Sequence, residues 1–156
     1  MADVRFLVTR ELDLPARAVF DELVDWRGHA AWVPLTRVII EQGDGGPATV
    51  FVATSGIGPF ALPDRMRVDA LDAEAMTVRV TKIGPVLTGT VDLSVTPLPQ
   101  NRCRLDWAEE IRVPYLPQLL ARPVAAAARL GFGAALSRLA TRMRSTPTRH
   151  DRTALL

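Results

Sequence analysis

The chain has 156 residues, which favours a single domain, and its 48% apolar and 23% charged residues are typical of a globular protein. The one cysteine, Cys103, excludes a disulfide framework and a multi-thiolate metal site. Only two histidines are present, His29 and His150, which leaves little material for a histidine metal centre. We therefore predict no metal and no other cofactor.

Charge is unevenly distributed along the chain. Residues 1–100 carry 9 basic and 13 acidic side chains, whereas residues 101–156 carry 10 basic and 4 acidic ones. The basic C-terminal segment is compatible with peripheral contact with an anionic membrane surface. Eighteen of the 19 basic residues are arginines, a skew that we attribute to genome composition. We expect no nucleic-acid partner.

Neither end of the chain carries a pattern that indicates export or membrane insertion. Residues 1–4 lack the basic and then apolar order of a signal peptide. The longest apolar stretch, residues 119–140, is interrupted by Arg122, Arg129 and Arg138, so it does not read as a membrane span. We expect a cytoplasmic protein.

Apolar alternation predicts a first strand over residues 4–12. Pro15 suits the start of a short helix, and a second short helical segment is predicted from Trp26 to Trp32. From Thr36 onward the period-two pattern continues to Val113. It predicts six further strands in short antiparallel steps, at residues 37–41, 48–55, 64–71, 76–83, 86–96 and 102–113.

After the last strand the pattern changes to that of a long helix over about residues 117–144. One apolar stripe with helical spacing runs along it through Ala121, Ala125, Ala128, Phe132, Leu136, Leu139 and Met143. Such a stripe indicates a helix that packs one face on a sheet. The remaining residues, 145–156, are predicted to form a flexible tail.

This order of elements, with three sequence motifs, resembles the SRPBCC superfamily, whose fold is called START or helix-grip. Residues 14–26 (LPARAVFDELVDW) and 32–34 (WVP) resemble its opening stretch, and residues 105–110 (LDWAEE) resemble its final strand. The resemblance implies an α+β domain over residues 1–144. In that fold a curved seven-stranded antiparallel sheet wraps around the C-terminal helix, and two short helices follow the first strand.

The resemblance also implies an apolar cavity between the sheet and the helix. Our leading hypothesis is the binding of an apolar small molecule such as a lipid, polyketide or isoprenoid. Two alternatives stay open: an aromatase/cyclase-like enzyme that acts on a polyketide chain, and a toxin-like or coenzyme Q-associated interaction protein that uses its basic C-terminal helix. No catalytic residue is assigned, and the sequence leaves the oligomeric state open.

Strand alternation identifies the side chains that would face this cavity. The predicted lining is Arg10, Met66, Val68, Val78, Val80, Leu87, Val91, Leu93, Trp107, Glu109, Phe132 and Leu136. Arg10 and Glu109 are charges on apolar faces, and each needs a partner or water. The resemblance places the first and last strands side by side, where these two charges could form an ion pair that neutralises them or orients a polar group of the ligand. The alternative is that a bulge turns one of the two side chains outward.

Two further side chains, His29 and Cys103, are of types that can take part in proton transfer or nucleophilic chemistry. His29 is the one plausible proton shuttle, because an ordinary imidazole titrates near pH 6.5. The favoured interpretation, however, is a surface residue without a partner. Cys103, between Arg102 and Arg104, is placed on the polar face of the last strand without a catalytic role.

Overall fold

In residues 1–146, the part of the chain that the computed structural model describes, seven antiparallel strands form one curved sheet. The strands are β1 (Ala2–Leu12), β2 (Thr36–Gln42), β3 (Val50–Ser55), β4 (Leu62–Asp72), β5 (Thr77–Ile83), β6 (Thr88–Leu98) and β7 (Arg102–Val113). Their order in the sheet is β1-β7-β6-β5-β4-β3-β2. Strands β2 to β7 thus form one meander, and β1 is added at the far side of β7.

Two helices and three short 3-10 helices complete the architecture. Helix α1 (Ala16–Val24) and a 3-10 helix (Arg27–Ala31) lie between β1 and β2, and α2 (Ala121–Ser145) closes the described chain. The other 3-10 helices are Gly58–Phe60 and Gln118–Leu120. The predicted helix-grip fold is confirmed. The predicted second short helix corresponds to the 3-10 helix before β2.

Because β1 pairs with β7, the inner face of the sheet continues from the last strand onto the first. Val4, Phe6 and Val8 alternate with exposed residues and are buried. In the register of this pair, Phe6 lies opposite Glu109. The pairing therefore joins the start of the chain to the strand that carries Trp107.

Helix α2 packs its predicted stripe on the inner face of the sheet. Leu136 and Leu139 are fully buried, and the Phe132 ring lies 5.5 Å from the Phe6 ring and 4.8 Å from the Trp107 ring, centre to centre. By length and composition alone, Gln118–Ser145 could also cross a membrane, because an 18-residue window within it has a mean hydropathy of 1.3. A helix at the core of a fold meets the same criterion, so this is weak evidence for a span.

The domain boundary and the tail were predicted at residues 144 and 145. Helix α2 includes Ser145 and is followed by Thr146 in an extended conformation. Residues 147–156, which make up most of the predicted flexible tail, lie outside the described residues.

Candidate functional site

A cavity lies between the sheet, α2 and the segment around the 3-10 helix Arg27–Ala31. Its empty volume is about 650 Å³ when counted up to its open mouth. The apolar lining is Trp26, Val33, Val38, Phe51, Ala53, Met66, Val80, Val91, Leu93, Trp107 and Phe132, and the polar lining is His29, Thr36, Ser55, Asp64, Lys82 and Glu109. Every strand except β1 contributes a side chain.

Most residues predicted to face the cavity are in its wall. Met66, Val80, Val91, Leu93, Trp107, Glu109 and Phe132 line it. Val68, Val78 and Leu136 are buried in the hydrophobic core without lining it. Leu87 precedes β6 and is half-buried. The alternation therefore identified the inner face correctly but not how far the cavity extends along it.

Arg10 lies outside the cavity, and its predicted ion pair with Glu109 is wrong. In the β1–β7 register Arg10 is opposite Leu105, whereas Glu109 is opposite Phe6. Four residues of strand separate the two positions, about 13 Å at the usual rise per residue. Arg10 is exposed and donates a 3.0 Å hydrogen bond to the Thr9 carbonyl. Its guanidinium lies against α2 at Gly133, where a Cβ would overlap it.

Glu109 instead belongs to a charged cluster with Asp64 and Lys82. The Lys82 ammonium donates to Asp64 Oδ2 and forms an ion pair with Glu109 Oε1 at 3.0 Å. Trp107 Nε1 donates to the other Glu109 oxygen at 3.0 Å. The side chains of Lys82 and Glu109 are 5% and 2% exposed, and that of Asp64 is 15% exposed. This cluster holds the charged side chains of the lining, whereas the other polar members of the lining are His29, Thr36 and Ser55.

A glycine on β6 makes the contact between β5 and β7 possible. Gly89 lies opposite Lys82 in the β5–β6 register, so β6 presents no side chain between Lys82 and β7. Gly89 has a φ of +142°, and a Cβ there would overlap the Glu110 carbonyl of β7. Only glycine fits this close backbone approach.

The two carboxylates of the cluster stabilise the charged form of Lys82. Burial by itself lowers the pKa of Lys82, but the Glu109 and Asp64 carboxylates outweigh it and hold the pKa above the ordinary lysine value. Lys82 is therefore an ammonium at neutral pH. One ammonium between two carboxylates gives the cluster a formal charge of −1. Asp64 Oδ1 is buried and has no hydrogen-bond partner among the described residues.

His29 also lines the cavity, and the favoured interpretation of it as a surface residue is wrong. It is 9% exposed and lies between Trp26 and Trp32, with ring centres 5.5 and 4.7 Å away. Its Nε2 lies 2.6 Å from the Leu23 carbonyl. Because a carbonyl only accepts, Nε2 carries the proton and donates it. Burial of the ring outweighs this hydrogen bond and the charge of Asp25, and it lowers the pKa of His29.

This lowered pKa predicts a loss of stability in mild acid. The unfolded chain takes up a proton at His29 below about pH 6.5, whereas the folded chain does so only at lower pH. The free energy of unfolding should therefore fall below pH 6.5, by at most about 1.4 kcal/mol per pH unit from this group. In His29→Gln, urea unfolding between pH 7 and 5.5 should show a flatter dependence. An unchanged slope in that variant would contradict the assignment.

Asp64 and Lys82 line the cavity although the predicted lining includes neither of them, and Cys103 does not lie on the polar face predicted for it. Asp64 lies two residues before Met66, so the same alternation puts it on the inner face. Cys103, two residues before Leu105, is fully buried rather than polar-facing, and burial raises the pKa of its thiol. Among residues 1–146, no three His, Cys, Asp or Glu side chains are grouped so that they could hold a metal ion.

Comparison with known proteins identifies one family and several solved structures that share this fold. Residues 3–144 match the profile of the family described as polyketide cyclase/dehydrase and lipid transport. None of the curated proteins matches the chain.

Three solved structures illustrate the likeness in fold. The ZhuI aromatase/cyclase from Streptomyces sp. R1128 is 17% identical with a TM-score of 0.76, covering 90% of this chain and 93% of that one. A START superfamily protein from Mycobacterium smegmatis is 14% identical with a TM-score of 0.76, covering 89% and 98%. Ara h 8.0201 is 18% identical with a TM-score of 0.64, covering 86% and 95%. At these identities the likeness concerns the fold alone.

Proposed function

Because the chain belongs to the polyketide cyclase/dehydrase and lipid transport family, we propose that it binds an apolar small molecule in the cavity between its sheet and α2. Members of the wider superfamily typically bind hydrophobic ligands. The observation that carries the proposal is the lining, in which eleven of the seventeen residues are apolar. Burying apolar ligand surface there contributes about 25 cal/mol per Å².

The dimensions of the cavity limit the part of a ligand that it encloses. Its empty volume of about 650 Å³ includes open solvent at the mouth and is therefore larger than the space that the walls enclose. The space that the centre of a water molecule can reach is smaller, about 110 Å³. For comparison, an apolar cavity of about 150 Å³ binds benzene. We therefore propose that one ring, or a chain of similar size, lies inside and that the rest of the ligand extends towards the mouth.

Binding can be tested with a small neutral probe and the tryptophan indoles as reporters. Trp26 and Trp107 line the cavity, whereas Trp32 does not. Titrating ¹⁵N-labelled protein with propylbenzene should shift the indole signals of Trp26 and Trp107 in a saturable way. No saturable shift, or shifts confined to exposed apolar residues such as Phe60, would contradict the proposal.

A second candidate, a cyclase-like enzyme, is favoured by one observation. The neutral imidazole of His29 lines the same cavity as the charged cluster, so a proton acceptor stands beside the proposed ligand. Incubated with a synthetic poly-β-ketone thioester, the protein should then speed cyclisation. His29→Gln should reduce the rate by about 10²-fold or more and remove its pH dependence. Cyclisation at the rate seen without protein would rule the enzyme out for this substrate.

A further inference from the structure

The charged cluster has unused hydrogen-bonding capacity at the cavity wall. Lys82 Nζ has three hydrogens; it donates one to Asp64 Oδ2 and forms an ion pair with Glu109 Oε1. Its remaining neighbour is Met66 Sδ at 3.9 Å, a weak acceptor. Asp64 Oδ1 has no donor among the described residues. A buried acceptor without a donor destabilises the protein, and a hydrogen bond from a ligand would remove that penalty.

The same cluster disfavours an anionic ligand. Its two carboxylates and one ammonium already sum to a charge of −1 in a mostly apolar cavity. A third carboxylate would have to be desolvated next to two charges of its own sign. A ligand ammonium would have the right sign, but its desolvation costs far more than that of a neutral group. A hydroxyl can donate to Asp64 and accept from Lys82 without carrying a charge.

We propose that the cavity selects apolar molecules that carry a neutral hydroxyl group, phenolic or aliphatic, and rejects their carboxylate counterparts. The hydroxyl would donate to the Asp64 carboxylate and accept from the Lys82 ammonium, while the apolar body lies among Val80, Val91 and Phe132. This proposal rests on the proposed binding of an apolar ligand and adds the chemical class of its polar group.

Three probes of one shape separate this selectivity from apolar binding itself. At pH 7, 4-propylphenol is neutral with a hydroxyl, propylbenzene has no polar group, and 4-propylbenzoate is an anion. Binding of each to the wild-type protein is measured by isothermal titration calorimetry and by the Trp107 indole shift. We expect 4-propylphenol to bind at least about tenfold more tightly than propylbenzene, the effect of one hydrogen bond to a charged group. We expect 4-propylbenzoate to bind at least about tenfold more weakly than propylbenzene.

The wild-type ranking decides the proposal, and two variants locate its cause. The combined change Asp64→Asn, Lys82→Met and Glu109→Gln removes the charges while keeping similar shapes. It should reduce the preference for phenol over benzoate by about tenfold or more. Asp92→Asn removes a carboxylate from β6 that pairs with Arg79 outside the cavity, and it should leave the ranking unchanged.

Each outcome bears on a different claim. Equal affinity for propylphenol and propylbenzene, or tighter binding of the benzoate, would overturn the hydroxyl selectivity and leave apolar binding intact. Absence of binding by all three probes would overturn the proposed function itself. A preference that persists unchanged in the triple variant would overturn the assignment to the charged cluster.

Discussion

Replacing Lys82 with methionine is expected to lower the free energy of unfolding by about 3–5 kcal/mol. Lys82 is 5% exposed and is the cation that neutralises the buried Glu109 and Asp64 carboxylates. Without it, two like charges would remain in an apolar cavity with no cation between them. A loss of this size is a large part of the roughly 5–15 kcal/mol that stabilises a typical domain. Urea unfolding at pH 7 measures it.

Two comparisons separate the lost charge from the lost side chain. The triple variant Asp64→Asn, Lys82→Met and Glu109→Gln leaves no unpaired charge, so its stability should lie well above that of Lys82→Met. Arg65→Met breaks an exposed pair with Glu41 on the other face of β4 and should cost far less. If Lys82→Met proved as mild as Arg65→Met, the cluster would not hold the buried charges as described.

Filling the cavity from β3 should abolish the binding of apolar probes. Ala53 lines the cavity directly opposite Asp64 in the β3–β4 register. In Ala53→Phe the ring would take the space that we assign to the ligand. Overpacking of this kind costs about 1–3 kcal/mol, so the variant should still fold. We expect no measurable binding of propylbenzene by calorimetry.

The matched control lies one residue away on the same strand. Val52 is half-buried, does not line the cavity and alternates with Ala53. Val52→Phe adds a ring on the opposite face of β3, and wild-type affinity is expected. If Ala53→Phe binds propylbenzene like the wild type, the ligand site is elsewhere. If both variants lose binding equally, the effect comes from the strand and not from the cavity.

The sequence carried enough information for the fold because its signals are long. Period-two alternation persists through six consecutive strands, and the α2 stripe repeats over more than six turns. Because the connections are short, consecutive strands are expected to pair with one another and form a meander. The pairing of β1 with β7 was inferred from the family resemblance and not from the alternation. The structure confirms that pairing.

The partner of Glu109 could not be found in the same way, because alternation assigns a face and not a register. Arg10 and Lys82 both have the inward parity, and either could neutralise Glu109 on that basis. The choice depends on the offset between strands, which places Phe6 and not Arg10 opposite Glu109. It also depends on Gly89, which leaves room across β6 for the longer reach of Lys82.

His29 was misplaced for a different reason. The 3-10 helix Arg27–Ala31 has five residues, too few for an apolar period to define its buried face. The ring is buried by its packing between Trp26 and Trp32, and those contacts depend on how the segment turns back onto the cavity. Tertiary packing of this kind leaves no local signal in the sequence.

Native mass spectrometry tests the central claim, apolar binding in the cavity, most directly. Wild-type protein, Ala53→Phe and Val52→Phe are each incubated with a total small-molecule extract of the source cells, desalted and measured without denaturation. The wild type and Val52→Phe should carry one non-covalent small molecule per chain, which organic solvent releases, and Ala53→Phe should carry none. A bound mass that persists in Ala53→Phe, or a bare mass for all three proteins, would contradict the account.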